Sequence, residues 1–101
     1  MRVNRIEKVF PCISDPWKLR IILYLDQQPD LALLHKYLGG RYSEPLGVVI
    51  IRSGCRELNF FATGKVTVRE VIDVGEVETL VNHLLAQADH RQFIQEEDGY
   101  A

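Results

Sequence analysis

Hydrophobic and polar positions follow two periods along this chain, one typical of β-strands and one typical of amphipathic helices. Runs rich in β-branched and aromatic residues, which predict strands, occupy 19–26, 46–52, 56–63 and 65–71, and the last of them alternates most cleanly. Apolar residues recur at helical spacing within 30–38, before a pair of glycines, and within 73–88. The pattern therefore predicts the order strand, helix, strand, strand, strand, helix.

Both ends of the chain lack such regular patterns. Two prolines interrupt residues 1–18, which predicts an extended arm with at most a short edge strand at 6–10. Residues 89–101 are polar and acidic, which predicts a frayed tail. We therefore expect one α+β domain over 19–88, with a four- to five-stranded antiparallel sheet and two helices packed on one face.

The composition and net charge of the chain limit the kinds of partner that we expect it to bind. The chain has 101 residues, and 47% of them are hydrophobic, which is sufficient for a single core. A formal net charge of -2 gives no overall positive field, so a nucleic-acid partner would need a local basic patch. No run approaches the roughly 18 consecutive apolar residues of a membrane span, and none follows the N-terminus as in a signal peptide. We expect a cytoplasmic protein without a membrane partner.

Period-2 alternation also sorts the strand residues into two sides of the sheet. Because both helices are expected on one side, the residues of the other side are left open. These residues form the predicted binding face: Arg20, Ile22, Tyr24, Val48, Ile50, Arg52, Asn59, Phe61, Lys65, Thr67 and Arg69. The set contains four cations and no carboxylate. Such an apolar and basic patch usually marks an interface, and the alternative is that the arm or the tail folds across it.

The element order and residues 47–52 and 58–66 together resemble one repeat of the TATA-box-binding protein, over about residues 19–88. In that family two repeats form a saddle whose concave sheet lies in the DNA minor groove, with phenylalanines wedged between base steps. The resemblance implies one wedge at Phe61 and the other position at Leu46. A saddle would require a homodimer of this single repeat, and the chain is acidic. We therefore keep nucleic-acid binding as an alternative function.

A second resemblance concerns the opening of the chain. Residues 11–22, followed by Leu25 and Asp26, resemble the start of small domains of anaerobic bacteria and archaea that are encoded with or fused to iron-sulfur modules. In that setting Cys12 would be a candidate thiolate ligand. A cluster normally needs four ligands, whereas this chain has two cysteines, Cys12 and Cys55. An accessory role in an iron-sulfur system is a further alternative, with a dimer or partner completing any shared site.

No constellation of catalytic or metal-binding residues is evident in the sequence. The imidazoles, at His35, His83 and His90, have no companion ligands at the spacing that a metal site needs. Cys55 falls in a predicted turn without a general base, and a lone nucleophile is weak evidence of catalysis. We therefore expect no enzyme, no metal and no cofactor.

The sequence as a whole favours a non-enzymatic interaction or assembly domain. Its expected partner is a second copy of the chain, or another protein, docked on the predicted binding face. About 800 Å² buried on each partner would suffice for a standard interface.

Overall fold

The computed structural model describes residues 1–13 and 17–98, with side chains described as far as Ile94. Within these residues the chain forms six strands and two helices. Their bounds are β1 Val3–Pro11, β2 Leu19–Leu25, α1 Leu31–Leu38, β3 Arg41–Ser43, β4 Val48–Ser53, β5 Arg56–Phe61, β6 Lys65–Val71 and α2 Val74–Asp98. The predicted arm and tail fall partly outside the description, at 14–16 and 99–101.

The strands form one antiparallel sheet in the order β1-β2-β6-β5-β4-β3. Strand β6, the last along the chain, therefore lies between β2 and β5. A two-residue loop joins β4 to β5, and its first residue, Gly54, has φ 63, as type II′ hairpins require. The β5–β6 loop closes with a 3.0 Å hydrogen bond from the Gly64 N–H to the Phe61 carbonyl.

The hydrophobic core lies on one side of the sheet, beneath both helices. Its buried members include Ile21, Leu23, Val49, Ile51, Leu58, Phe60, Val66, Val68 and Val71 from the sheet, Leu31 and Leu34 from α1, and Val77, Val81, Leu84 and Leu85 from α2. Leu23, Phe60 and Val66 therefore point inward, on the side opposite the predicted binding face. The fold class is α+β, with helices packed against a single face of an antiparallel sheet.

Helix α1 begins and ends where the sequence indicates. Asp30 is its N-cap, and the carboxylate accepts hydrogen bonds from the backbone N–H groups of Ala32 and Leu33. Gly39 caps the C-terminus with φ 78, and its N–H donates to the His35 carbonyl over 2.9 Å. Gly40 also has positive φ and lies against the backbone of Ile50, so the two glycines turn the chain tightly into β3.

The predicted number of strands was wrong. Residues 3–11 form a full edge strand, β1, rather than an arm with a short strand. Two irregularities in its pairing, between Val3 and Arg5 and between Ile6 and Lys8, break the alternation that marks a strand in sequence. Strand β3 has three residues, which is too short for a periodic signal.

Helix α2 continues through much of the predicted tail. It is 25 residues long and ends at Asp98, although burial stops at Ala88. The Arg91 guanidinium donates to the Tyr37 carbonyl, which ties this extension to α1. Phe93 is 63% exposed, so the continuation depends on local helical hydrogen bonds rather than on core contacts. Over the described ranges, no helix combines the length and apolar character needed to cross a membrane.

Candidate binding face

The structure places all eleven residues of the predicted binding face on the side of the sheet away from the helices. None of them belongs to the core cluster, and most are cross-strand partners of one another. The register pairs Ile22 with Thr67, Thr67 with Asn59, and Asn59 with Ile50. One lateral row therefore runs from β2 to β4 through the centre of this side.

Strands β1 and β3 extend this surface beyond what the sequence predicted. Residues added by the register are Arg5, Lys8 and Phe10 from β1, Arg41 and Ser43 from β3 and Glu57 from β5. We call these six residues and the predicted eleven the open face. Arg5 lies opposite Tyr24, Phe10 opposite Arg20, and Arg41 opposite Ile50. The β1 residues were not predicted because this segment was expected to form an arm. Glu57 could have been predicted, because its neighbour Leu58 points inward.

The N-terminal segment does not cover the open face over its described residues. Because β1 pairs with the edge of β2, it widens the sheet and leaves the face uncovered. Helix α2 lies on the opposite side, where Val77 and Leu85 join the core cluster. Among residues 1–13 and 17–98, no segment lies across the centre of this face.

Positive charge is concentrated on the open face. Its cations are Arg5, Lys8, Arg20, Arg41, Arg52, Lys65 and Arg69, from a chain with 12 lysines and arginines in total. The expectation of a face without carboxylates was wrong, because Glu57 pairs with Arg52 at 3.3 Å. Among the described residues, Glu7 and Glu70 border the face from irregular positions of β1 and β6. Cations still outnumber these carboxylates, although the formal charge of the chain is -2.

Each aromatic ring of the open face has a cation above it. The Arg5 guanidinium lies 4.8 Å from the Tyr24 ring centroid, and the Arg20 guanidinium lies 5.3 Å from that of Phe10. The Lys65 ammonium lies 5.7 Å from the Phe61 centroid. These distances are within the range of cation–π attraction, so each pair presents aromatic surface and positive charge together.

The centre of the open face is less exposed than predicted. Val48 and Thr67 are both buried, at 7% exposure, although their side chains are on this side of the sheet. Larger neighbours surround them, since Val48 lies opposite Phe61 and Thr67 lies between Ile22 and Asn59. Val48 and Thr67 therefore lie beneath the contact surface, which is formed by the partly exposed side chains around them.

Shallow depressions lie toward two corners of the open face. One, of about 410 Å³, is lined by Gly40, Arg41, Ile50, Arg52 and Glu57. The other, of about 290 Å³, is lined by Phe10, Pro11, Cys12, Ile13, Arg20 and Arg69. Each depression has two arginines in its wall, but in the first Arg52 is paired with Glu57, so the second offers the better place for an anionic group.

Glu70, at the border of the open face, combines an uncommon backbone conformation with an ion pair. Its φ is 67, which is uncommon for a residue with a side chain, and it lies where the β2–β6 register shifts. The Lys18 ammonium donates a 2.8 Å hydrogen bond to its carboxylate. That hydrogen bond, together with the positive charge of Lys18, lowers the pKa of Glu70 below its ordinary value.

Within the described residues, the remaining candidate catalytic and metal-binding side chains are not brought together. The ring nitrogen Nδ1 of His35 lies 3.3 Å from the Gly39 carbonyl oxygen, and its ring contacts that of Tyr42. In the part of the chain that the structure describes, no three His, Cys, Asp or Glu residues are grouped as a metal site.

The cysteines do not fit an iron-sulfur cluster of this chain alone. Cys12 is buried just after β1, and Cys55 is exposed in the β4–β5 loop. Strands β2 and β6 separate β1 from β5, which corresponds to about 14 Å at the usual strand spacing. The two thiols therefore cannot ligate one cluster, and a cluster normally needs four such ligands.

No protein-family model, curated protein or solved structure matches this chain. The function therefore has to be argued from the open face itself.

Proposed function

We propose that this chain is a non-enzymatic interaction domain whose open face binds an anionic macromolecular partner. The observation that carries the proposal is the concentration of cations and aromatic rings on one side of a sheet whose other side is the core. Such a mixture is unfavourable as a purely solvated surface and is typical of interfaces, where aromatic residues and arginine are enriched.

A homodimer through the open face was the first expectation from the sequence, and the structure of a single chain does not test it. The charge distribution favours a different partner. An isologous dimer would bring the same surface of two copies together, so Arg20, Arg52 and Lys65 would face other cations. Like charges across an interface are costly, whereas an anionic partner would neutralise them.

The two family resemblances suggest different partners for the open face. The likeness to a TATA-box-binding-protein repeat is supported by the α+β order of elements and by Phe61 at the end of β5, on the open face. Its second wedge position, Leu46, is 76% exposed in the turn before β4. An accessory role beside an iron-sulfur protein would use the open face as a docking surface, because the cysteines do not form a cluster site.

Binding of a general polyanion tests the proposal. Heparin fragments and polyglutamate serve as probes, and their affinity is measured by calorimetry against ionic strength. The matched variants are Lys65→Glu and Lys36→Glu, because each lysine lies over an aromatic ring, Phe61 for the first and Tyr37 for the second. Lys36 belongs to α1, on the other side of the sheet.

We expect Lys65→Glu to weaken binding and to reduce the dependence of log affinity on log salt by about 1. Lys36→Glu should leave both nearly unchanged. Absence of binding, or equal losses in the two variants, would remove the proposal.

A further inference from the structure

Resting on the proposed function, we propose that the partner of the open face is a single-stranded nucleic acid. Its bases would stack on the paired aromatic and cationic side chains, and its phosphates would be neutralised by the surrounding arginines and lysines. Two independent features of the face lead to this ligand: the cation above each ring, and the width of the sheet.

The aromatic pairs provide stacking platforms. Phe10, Tyr24 and Phe61 lie on three different strands, and each has a guanidinium or an ammonium above its ring. Unpaired bases stack on aromatic rings and on arginine planes, and every base has a face suited to this contact. An acidic peptide would use the cations of this surface but would leave the rings without a comparable partner.

The width of the sheet excludes docking inside the DNA major groove. Its strands span about 24 Å laterally at about 4.8 Å per spacing. The major groove of DNA is about 12 Å wide and admits a helix or a two-stranded ribbon, so this sheet cannot enter it. A single strand can instead lie across the strands, and the span suits roughly 4 nucleotides, the lower end of the range of site sizes for an OB-fold.

Polar groups at the centre and at the corners complete the site. Asn59 is half-buried and commits one amide N–H to Thr67, which leaves its other N–H and its carbonyl oxygen for a base edge. The depressions at the corners place Arg41 and Arg52 at one position and Arg20 and Arg69 at another. Arg20 and Arg69 suit one phosphate of a strand that crosses the face, whereas at the other corner Glu57 pairs with Arg52 and Arg41 is the cation that suits a second phosphate.

Fluorescence anisotropy with a labelled 12-nucleotide oligouridylate tests the inference on the full chain. Comparison probes are oligothymidylate of equal length, a DNA duplex and polyglutamate. The variants Tyr24→Leu and Phe61→Leu remove stacking but keep apolar volume. Tyr42→Leu is the matched control, because Tyr42 belongs to β3, is partly exposed, and lies opposite Val49 on the helix side of the sheet. Circular dichroism verifies that each variant is folded.

We expect the oligouridylate and the oligothymidylate to bind more tightly than the DNA duplex and polyglutamate. Each open-face leucine variant should lose roughly 5- to 150-fold in affinity, the range for removing one stacked base, while Tyr42→Leu stays near the parent chain. Raising salt from 50 to 200 mM should lower affinity by about 50-fold if about four phosphates are neutralised.

The outcomes separate this inference from the proposed function. If Lys65→Glu weakens binding of every polyanion but the leucine variants do not, the anion-binding face stands and the assignment of a single-stranded nucleic acid is overturned. Tighter binding of the duplex or of polyglutamate than of the two single strands overturns it as well. If no probe distinguishes Lys65→Glu from Lys36→Glu, the proposed function fails too.

Discussion

Asn59 and Thr67 lie opposite each other on β5 and β6, and Asn59 Nδ2 donates a 2.9 Å hydrogen bond to Thr67 Oγ1. The flanking residues Leu58, Phe60, Val66 and Val68 all point into the core. A register slip of one residue in either strand would exchange these apolar side chains with the polar pair. The pair therefore marks the boundary between the core side and the open face at the centre of the sheet.

A double-mutant cycle measures what this pair contributes to stability. The variants are Asn59→Ala, Thr67→Val and their combination, each unfolded in urea. Because Thr67 is buried, we expect a coupling free energy of about 0.5–1.5 kcal/mol, the usual net value of one hydrogen bond. A coupling near zero would mean that water replaces the bond without cost.

The glycine pair after α1 provides a comparison of backbone strain with steric collision. Gly39 and Gly40 both have positive φ, but a Cβ at Gly39 meets no other atom, whereas a Cβ at Gly40 would collide with the Ile50 carbonyl. We expect Gly39→Ala to lower the free energy of unfolding by about 1–3 kcal/mol. Gly40→Ala should cost clearly more, because β3 must move away from its neighbour. Equal costs in urea unfolding would contradict the close approach.

The ion pair between Lys18 and Glu70 predicts a specific response to acid. The pKa of Glu70 is lowered in the folded chain, so its contribution to stability is present above the ordinary value of 4.5 and is lost as pH falls through the folded value. Lys18→Met should therefore lower stability at pH 7 and flatten its decline below pH 4.5. Lys36→Met is the control, and urea midpoints from pH 7 to pH 3 are the measurement. Parallel profiles for the parent and Lys18→Met would refute the assignment.

The charge of the open face predicts the oligomeric state. Light scattering at 50 mM salt should give a monomer, because self-association through this face would bring cations together. Phe61→Asp should leave that mass unchanged. A dimer at low salt that Phe61→Asp dissociates would establish the homodimer instead, with the open face as its interface.

The residue pattern predicts which side of the sheet is open, but it does not predict how far the open face extends. The alternation of β6 and the neighbours of Leu58 and Phe60 predict which side of the sheet is open, because period-2 order is dictated by the pleat. Strand β1 was missed because its two pairing irregularities disturb that order. The burial of Thr67 depends on the size of its cross-strand neighbours. Identifying those neighbours requires the pairing register, which the sequence alone does not give.

The most direct test of the central claim is chemical-shift mapping by NMR during titration with a heparin fragment. Because the proposed partner docks on the open face, amide shifts should concentrate around Tyr24, Asn59 and Lys65. Amides of α1 and of the buried turns of α2 should remain unchanged. Shifts centred on the helices, or scattered evenly over the surface, would contradict the account.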